Sequence, residues 1–349
     1  MRLRTRIRSV TWPAILCLLA GAAFADEHAG TDPLFDSNDR LDVVIEAPWS
    51  TFMVRKPKEE DLEGALKVID TDQAEQQFDV AIRARGHSRH EWCDFPPVLL
   101  NFKRSKVKDT LFANQNKLKL VVHCMTSVKY EQIVLKEYLV YRMLNIITDR
   151  SFQVRLLRVR YVDSEGKRKD IERYAFLLEH KQRLAERLET EPLKVERAKV
   201  SAIDGEHLNM ASVFAFMVGN TDFSPLIGPG SECCHNFVLF SNEVDPYLAV
   251  PYDYDQSGVV DAPYAVPNRQ FGIRTVKQRV YRGRCANNDY LEPTIERFKE
   301  RRKEIFELID QQEGLQDSTR RRVRSYIEDF YKIIEDPRKT EREMLKKCV

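Results

Sequence analysis

Three oxygen-bearing side chains, distant along the chain, are the residues whose types could do chemistry together: Asp222, Asn236 and Asp253. They lie in Gly219-Asn220-Thr221-Asp222, in His235-Asn236-Phe237-Val238-Leu239-Phe240 and in Val250-Pro251-Tyr252-Asp253-Tyr254-Asp255. One carboxylate to orient an acceptor, with an amide and a second carboxylate to hold metal ions, is the residue set of phosphoryl transfer. Hard oxygens of this kind suit Mg²⁺ or Mn²⁺ held jointly with substrate phosphates. Asp255 is a further metal candidate. The last segment has a rival reading, because Asp253, Asp255, Ser257 and Gly258 open like a calcium loop. The twelfth position of that loop, where a bidentate Glu belongs, is Tyr264.

These side chains need elements to position them. Asp204 can cap a helix running through Phe216, with Glu206 in its first turn and Gly219 as its stop, which leaves Asp222 on the following loop. Strands His235–Phe240 and Tyr247–Tyr252, paired as a hairpin, would bring Asn236 and Asp253 to one rim. Upstream, strands are expected at Val43–Glu46, Phe78–Arg85, Val98–Phe102, Leu118–Val122, Gln153–Tyr161 and Tyr174–Leu178. Phe78, Val80 and Ile82 share a face of the second. Tyr130–Ile147 reads as a long helix with Ile133, Tyr138, Tyr141 and Leu144 on its apolar side. A polar insertion, Lys56 to Gln77, suggests a short helix over Leu62–Val68. After Leu291 two helical stripes follow, Ile295, Phe298, Ile305, Phe306 and Ile309, then Val323, Ile327, Phe330 and Ile333. The expected fold is α+β in two lobes, strand-rich over 41–180 and helical over 181–349, the second carrying the metal and catalytic segment.

The chain opens with Arg2, Arg4, Arg6 and Arg8, an apolar stretch Ala14–Ala20 and then Ala23-Phe24-Ala25, the order of a secretory leader over 1–25. Residues 26–40 read as a polar, loose arm. The apolar stretch is too short to span a bilayer, and Cys17 has no lipobox before it. Secretion or export to a periplasm is the expectation. Loss of the four arginines takes the formal charge from +2 to −2, which argues against a dedicated nucleic-acid or polybasic membrane binder. About 320 residues remain, enough for one large or two modest domains. Six cysteines remain too, an even count that favours disulfides over metal because no C-x-x-C pair exists. Cys93 with Cys124, and Cys233 or Cys234 with Cys285, are the expected bridges. No Walker A, G-x-G-x-x-G or G-x-S-x-G pattern is present.

At the segments around Asp222, Asn236 and Asp253 the sequence resembles the protein-kinase-like superfamily, most closely the spore-coat CotH kinase family and more distantly the HipA-type kinases. Arg85-Gly86-His87-Ser88 is similar to the CotH family's R-G-x-S motif, and Tyr174-Ala175-Phe176-Leu177-Leu178-Glu179 to its strand ending in Glu. The resemblance spans roughly Val43 to Gly258. It implies a two-lobed protein-kinase-like fold, with Asp222 catalytic and Asn236, Asp253 and Asp255 on the metal. It places Arg85, Gly86 and Ser88 near the phosphates of ATP or another nucleotide, with Lys103 or Lys119 as clamp and Glu137 as that lysine's partner. The acceptor would be a hydroxyl of a protein or small molecule. Pro96-Pro97-Val98 stands where the family often carries Pro-Lys-Lys, and a long loop with Pro225, Gly228, Pro229 and Gly230 separates Asp222 from Asn236. Arg83, Arg85 and Arg89 form a basic cluster that is either a solvated strand edge or a phosphate site. A catalytically inactive envelope or surface protein with the same fold is the alternative, and a metal-dependent hydrolase a third.

Overall fold

Alternation of side chains along seven strands determines the architecture of the N-terminal half. The computed structural model describes residues 32–69, 76–228 and 232–349; the leader and the first part of the arm, 26–31, lie outside them. The strands are β1 (Leu41–Ala47), β2 (Leu62–Ile69), β3 (Gln76–Ala84), β4 (Val98–Phe102), β5 (Lys117–Val121), β6 (Val154–Asp163) and β7 (Ile171–Leu178). They close a barrel in the order β1-β2-β3-β4-β5-β7-β6. Every neighbouring pair is antiparallel except β1 with β6, which run parallel from Leu41 opposite Leu157 to Ala47 opposite Asp163. Leu66, Val80, Ile82, Leu100, Leu118, Leu120, Leu157 and Leu177 fill the interior. Each such side chain contributes roughly 1.5–3 kcal/mol by leaving water.

This barrel corrects the expected fold. A two-lobed kinase-like arrangement needs an open sheet, and here the parallel β1–β6 pairing removes both edges. The seventh strand is β2, the segment expected to be helical. Leu66 and Val68 point inward at period two, and Gly64 passes so close to β1 that an added Cβ would lie 2.7 Å from the Glu46 carbonyl oxygen. The arm is also tighter than expected. Leu34 and Phe35 are buried with the barrel core, and Gln115 donates to both carboxylate oxygens of Asp32 at 2.8 and 2.7 Å.

The helices, among the described residues, are α1 (Trp49–Arg55), α2 (Ser88–Trp92), α3 (Val128–Ile147), α4 (Lys181–Arg187), α5 (Gly205–Val218), α6 (Leu291–Glu300), α7 (Arg302–Gln311), α8 (Asp317–Ile334) and α9 (Pro337–Glu343). A small sheet holds β8 (Glu191–Pro192), β9 (Phe237–Ser241) and β10 (Leu248–Pro251) in the order β10-β9-β8. The outward residues Leu156, Tyr174 and Phe176 share one core with Tyr138 of α3, Phe214 of α5 and Phe330 of α8. No seam therefore falls near residue 180, and residues 32–349 form one unit.

Cys93 is joined to Cys124 as expected. Cys285 pairs with Cys348 and Cys233 with Cys234, which corrects the expected bridge to Cys285. Among the described residues no helix is long and apolar enough to cross a membrane.

Candidate functional site

The site grows from the outside of the barrel. Because Leu118 and Leu120 point inward, Lys119 must point out, and β5 pairs it with Leu99 on one side and Leu178 on the other. Arg85 follows β3; its amide donates to the Pro97 carbonyl at 2.9 Å and its Nε to that of Val98 at 3.3 Å. Gly86 then turns with φ +84, a region closed to most side chains, and starts the short helix α2. The Cys93–Cys124 bridge ties the end of α2 to the segment after β5.

The opposite side is built by α5 and the small sheet. Asp204 caps α5 by accepting from the His207 amide at 2.9 Å. Gly219 ends the helix in the left-handed conformation, where a Cβ would collide with the Tyr326 hydroxyl at 2.0 Å. Asn220 then accepts from the Asp222 amide at 2.9 Å. Arg282 donates to the carbonyls of Thr221 and Phe223 at 3.0 and 2.6 Å, its guanidinium lying over the rings of Phe223 and Phe271. In the β9–β10 hairpin Phe237 faces Pro251, and the Tyr252 amide donates to the Asn236 carbonyl at 3.0 Å. Asn236 and Asp253 therefore share a rim, as the hairpin reading requires.

Arg85, Gly86, Ser88, Lys119, Glu137, Asp222, Asn236, Asp253 and Asp255 all line one cleft of about 900 Å³. Lys103 does not. It follows the last residue of β4, is exposed, and is absent from the lining, which leaves Lys119 as the lysine of the cleft. Arg83 turns away to pair with Asp61. The calcium-loop reading finds no support in the preceding element, which is strand β10 and not a helix.

Asp222 binds its neighbours closely. Its Oδ1 lies 2.8 Å from Nε2 of His235, and that contact raises the affinity of His235 for a proton. Nδ2 of Asn236 donates to the Asp222 carbonyl at 2.6 Å and to its Oδ2 at 3.2 Å. Asn236 thus presents its remaining amide oxygen as an acceptor. The Asp253 amide donates to the Tyr141 hydroxyl at 2.9 Å.

Glu137 is buried on α3 and sits 3.8 Å from Arg89, whose side chain is 12% exposed. The expected lysine–glutamate pair is therefore replaced by an arginine–glutamate pair. Arg89 also donates to the Val122 carbonyl at 2.8 Å, and Lys119 lies over the Tyr252 ring at 4.9 Å. Burial first, and then Asp255, push the Glu137 carboxyl well above the ordinary carboxylate range, against the pull of Arg89. Burial first, and then Asp253, do the same to Asp255. Burial and the repulsion of Arg85 lower Lys119 to about 8.

Sequence reasoning missed Arg282, Tyr141 as the Asp253 anchor, and the Trp92–Tyr264 pair, 5.2 Å apart at the cleft mouth. A signal for Glu137 existed: it lies four residues from both Ile133 and Tyr141, on the helix face that packs inward. No protein-family model matches the chain, and no curated protein matches it either.

Proposed function

We propose that the chain transfers a phosphoryl group from a nucleotide to a hydroxyl of a protein or small molecule, with a divalent cation as cofactor. One observation carries this reading: nine residues from six separate segments form a single cleft whose barrel side is basic and whose hairpin side is acidic. Lys119 and Arg85 would hold the nucleotide phosphates as charge-assisted donors. An anion arriving beside Lys119 restores an ammonium that burial had weakened.

The donor set fits a cation. Asp253, Asp255 and the free oxygen of Asn236 are hard ligands, and Asp253 and Asp255 repel each other in the absence of a counter-ion. Among the described residues no three His, Cys, Asp or Glu side chains form an ion cage on their own. Mg²⁺ usually takes one or two carboxylates and completes its shell with water and substrate phosphates. When bound there it neutralises charge on the transferring group. Asp222 would orient the acceptor hydroxyl and take its proton. The terminal phosphorus then leaves its bridging oxygen for the acceptor oxygen, and the nucleoside diphosphate departs. The recess beside Lys119, walled by Phe152, Leu178, Val238 and Tyr252, offers flat apolar faces to a base. The motif likeness to CotH-type kinases supports the chemistry; the two-lobed fold is no part of the proposal. Paired cysteines and the leader pattern support export to an oxidising compartment.

The second reading is a non-catalytic envelope or surface protein. What favours it is that the Asp222 carboxylate already engages His235 and Asn236.

The test is a thermal-shift titration with ATP plus Mg²⁺ or Mn²⁺, followed by γ-phosphate labelling of candidate acceptors. A rise in melting temperature that Asp253→Ala abolishes with folding intact, together with label transfer that Asp222→Ala abolishes, supports transfer. No shift with any nucleotide leaves the non-catalytic reading. Phosphate release without labelling points to hydrolysis.

A further inference from the structure

The recess beside the cleft is half apolar and half cationic. It measures about 280 Å³, and its lining adds Lys117, Lys119, His180 and Lys181 to the four apolar walls. A second recess of about 220 Å³ continues from it, shares Lys117 and His180, and adds Arg104. Among the described residues Glu179 is the one carboxylate lining either recess. It is already held by Arg187 at 3.0 Å and by the Gln153 amide at 2.9 Å.

Among the described residues none of Arg104, Lys117, Lys119 and Lys181 has a carboxylate within ion-pair distance. Some exposed cations elsewhere are paired, as in Arg160 with Asp170 and Lys332 with Asp329, and others are not; these four are set apart because they converge on adjoining recesses with an apolar wall. The His180 ring accepts from the Gln182 amide at Nδ1, 3.2 Å away, so a neutral ring carries its proton on Nε2 and keeps a donor. Burial and then these four cations hold the ring toward that neutral form. A ring-shaped apolar group with an anion attached satisfies both halves of the recess. The base alone leaves the cations unanswered.

We infer that the nucleotide this chain takes carries a further phosphate at its base-and-ribose end, seated among Lys117, His180, Lys181 and Arg104. This rests on the nucleotide reading of the cleft and names the ligand class more closely. The test is calorimetric titration of the full chain, in Mg²⁺, with ADP and with its 3′-phosphorylated counterpart. The expectation is that the additional phosphate tightens binding by about tenfold. In the Lys117→Ala/Lys181→Ala variant that advantage falls to about twofold or less. Both side chains are exposed, so the melting temperature without ligand should stay put and report that folding is intact. Equal affinity for the two nucleotides in the unaltered chain overturns this inference alone, as does an advantage that survives in the double variant. Failure of both nucleotides to bind overturns the nucleotide reading together with it.

Discussion

On the barrel side of the cleft Lys119, Arg85 and Arg89 stand on β5, at the end of β3 and on α2, held by ladder register, a disulfide and a buried ion pair. On the hairpin side Asp222, Asn236 and Asp253 stand on loop backbone, and Asn236 and Asp253 take φ of 55° and 64°. Left-handed backbone at a residue with a Cβ costs of order 1–2 kcal/mol, and Asn and Asp bear it best. The cations are thus positioned by the same contacts that stabilise the fold. The oxygens are positioned by local bonds on left-handed backbone, whose strain costs stability and aims the side chains. Changes on the barrel side should read out mainly as stability, and changes on the hairpin side mainly as ligand response.

The sharpest break in that contrast is Glu137→Ala. Above about pH 8, where the Glu137 carboxyl is ionised, it strands Arg89, whose side chain is only 12% exposed, and removal of one member of a buried pair costs about 3–5 kcal/mol. Urea unfolding measures it; a loss under about 1 kcal/mol would mean that the pair is solvated and the barrel side is not held this way. The pair also sets a pH dependence. Burial and Asp255 hold Glu137 up at about 8 against an ordinary 4.5. Between those values the folded chain binds more protons than the unfolded one, so stability falls as pH rises through the window. Asp255 acts in the same sense. The melting temperature of the ligand-free chain should drop across that window, and Glu137→Gln should flatten the slope.

Next in size is the staple. Replacing Cys93 and Cys124 together with Ala should cost about 2–4 kcal/mol, and hydrogen exchange should quicken first in α2. Uniform quickening over the barrel would deny that the bridge acts locally on the arginine helix. On the other side Arg282→Ala removes two carbonyl contacts and the stacking on Phe223 and Phe271. A global cost of about 1–2 kcal/mol is expected, with faster exchange confined to 220–224. If the barrel amides quicken as well, the two sides are mechanically one.

How much of this was legible follows the range of the interactions. The rim shared by Asn236 and Asp253 came from a local hairpin, and the Asp204 cap and Gly219 stop were readable because a helix end is set by its neighbours. Barrel closure was not readable, since β1 meets β6 across more than a hundred intervening residues and nothing local encodes a parallel pairing. Strand β2 misled because Leu62, Glu63, Ala65 and Lys67 have helical propensity, while tertiary pairing on both edges decides the outcome. The choice between Lys103 and Lys119 waited on register: one lies beyond the end of its strand, the other inside it facing out. The burial of Glu137 was legible from its spacing, which places it between the buried Ile133 and Tyr141, whereas its pairing with Arg89 of a distant segment was not.

The smallest stability effect is the most discriminating. Asn236→Gly removes the amide that holds Asp222 by two contacts, a loss of about 1 kcal/mol. Glycine adopts φ 55° freely, which returns roughly the same amount. The net change in unfolding free energy should lie within about 0.5 kcal/mol, whereas Asn236→Ala keeps the strain, loses the contacts and should cost about 1–2 kcal/mol. Both variants should lose the Mg²⁺-dependent response to nucleotide. Equal destabilisation by Gly and Ala would show that the left-handed backbone at Asn236 carries no strain, and the contrast between the two sides of the cleft would then rest on the barrel alone.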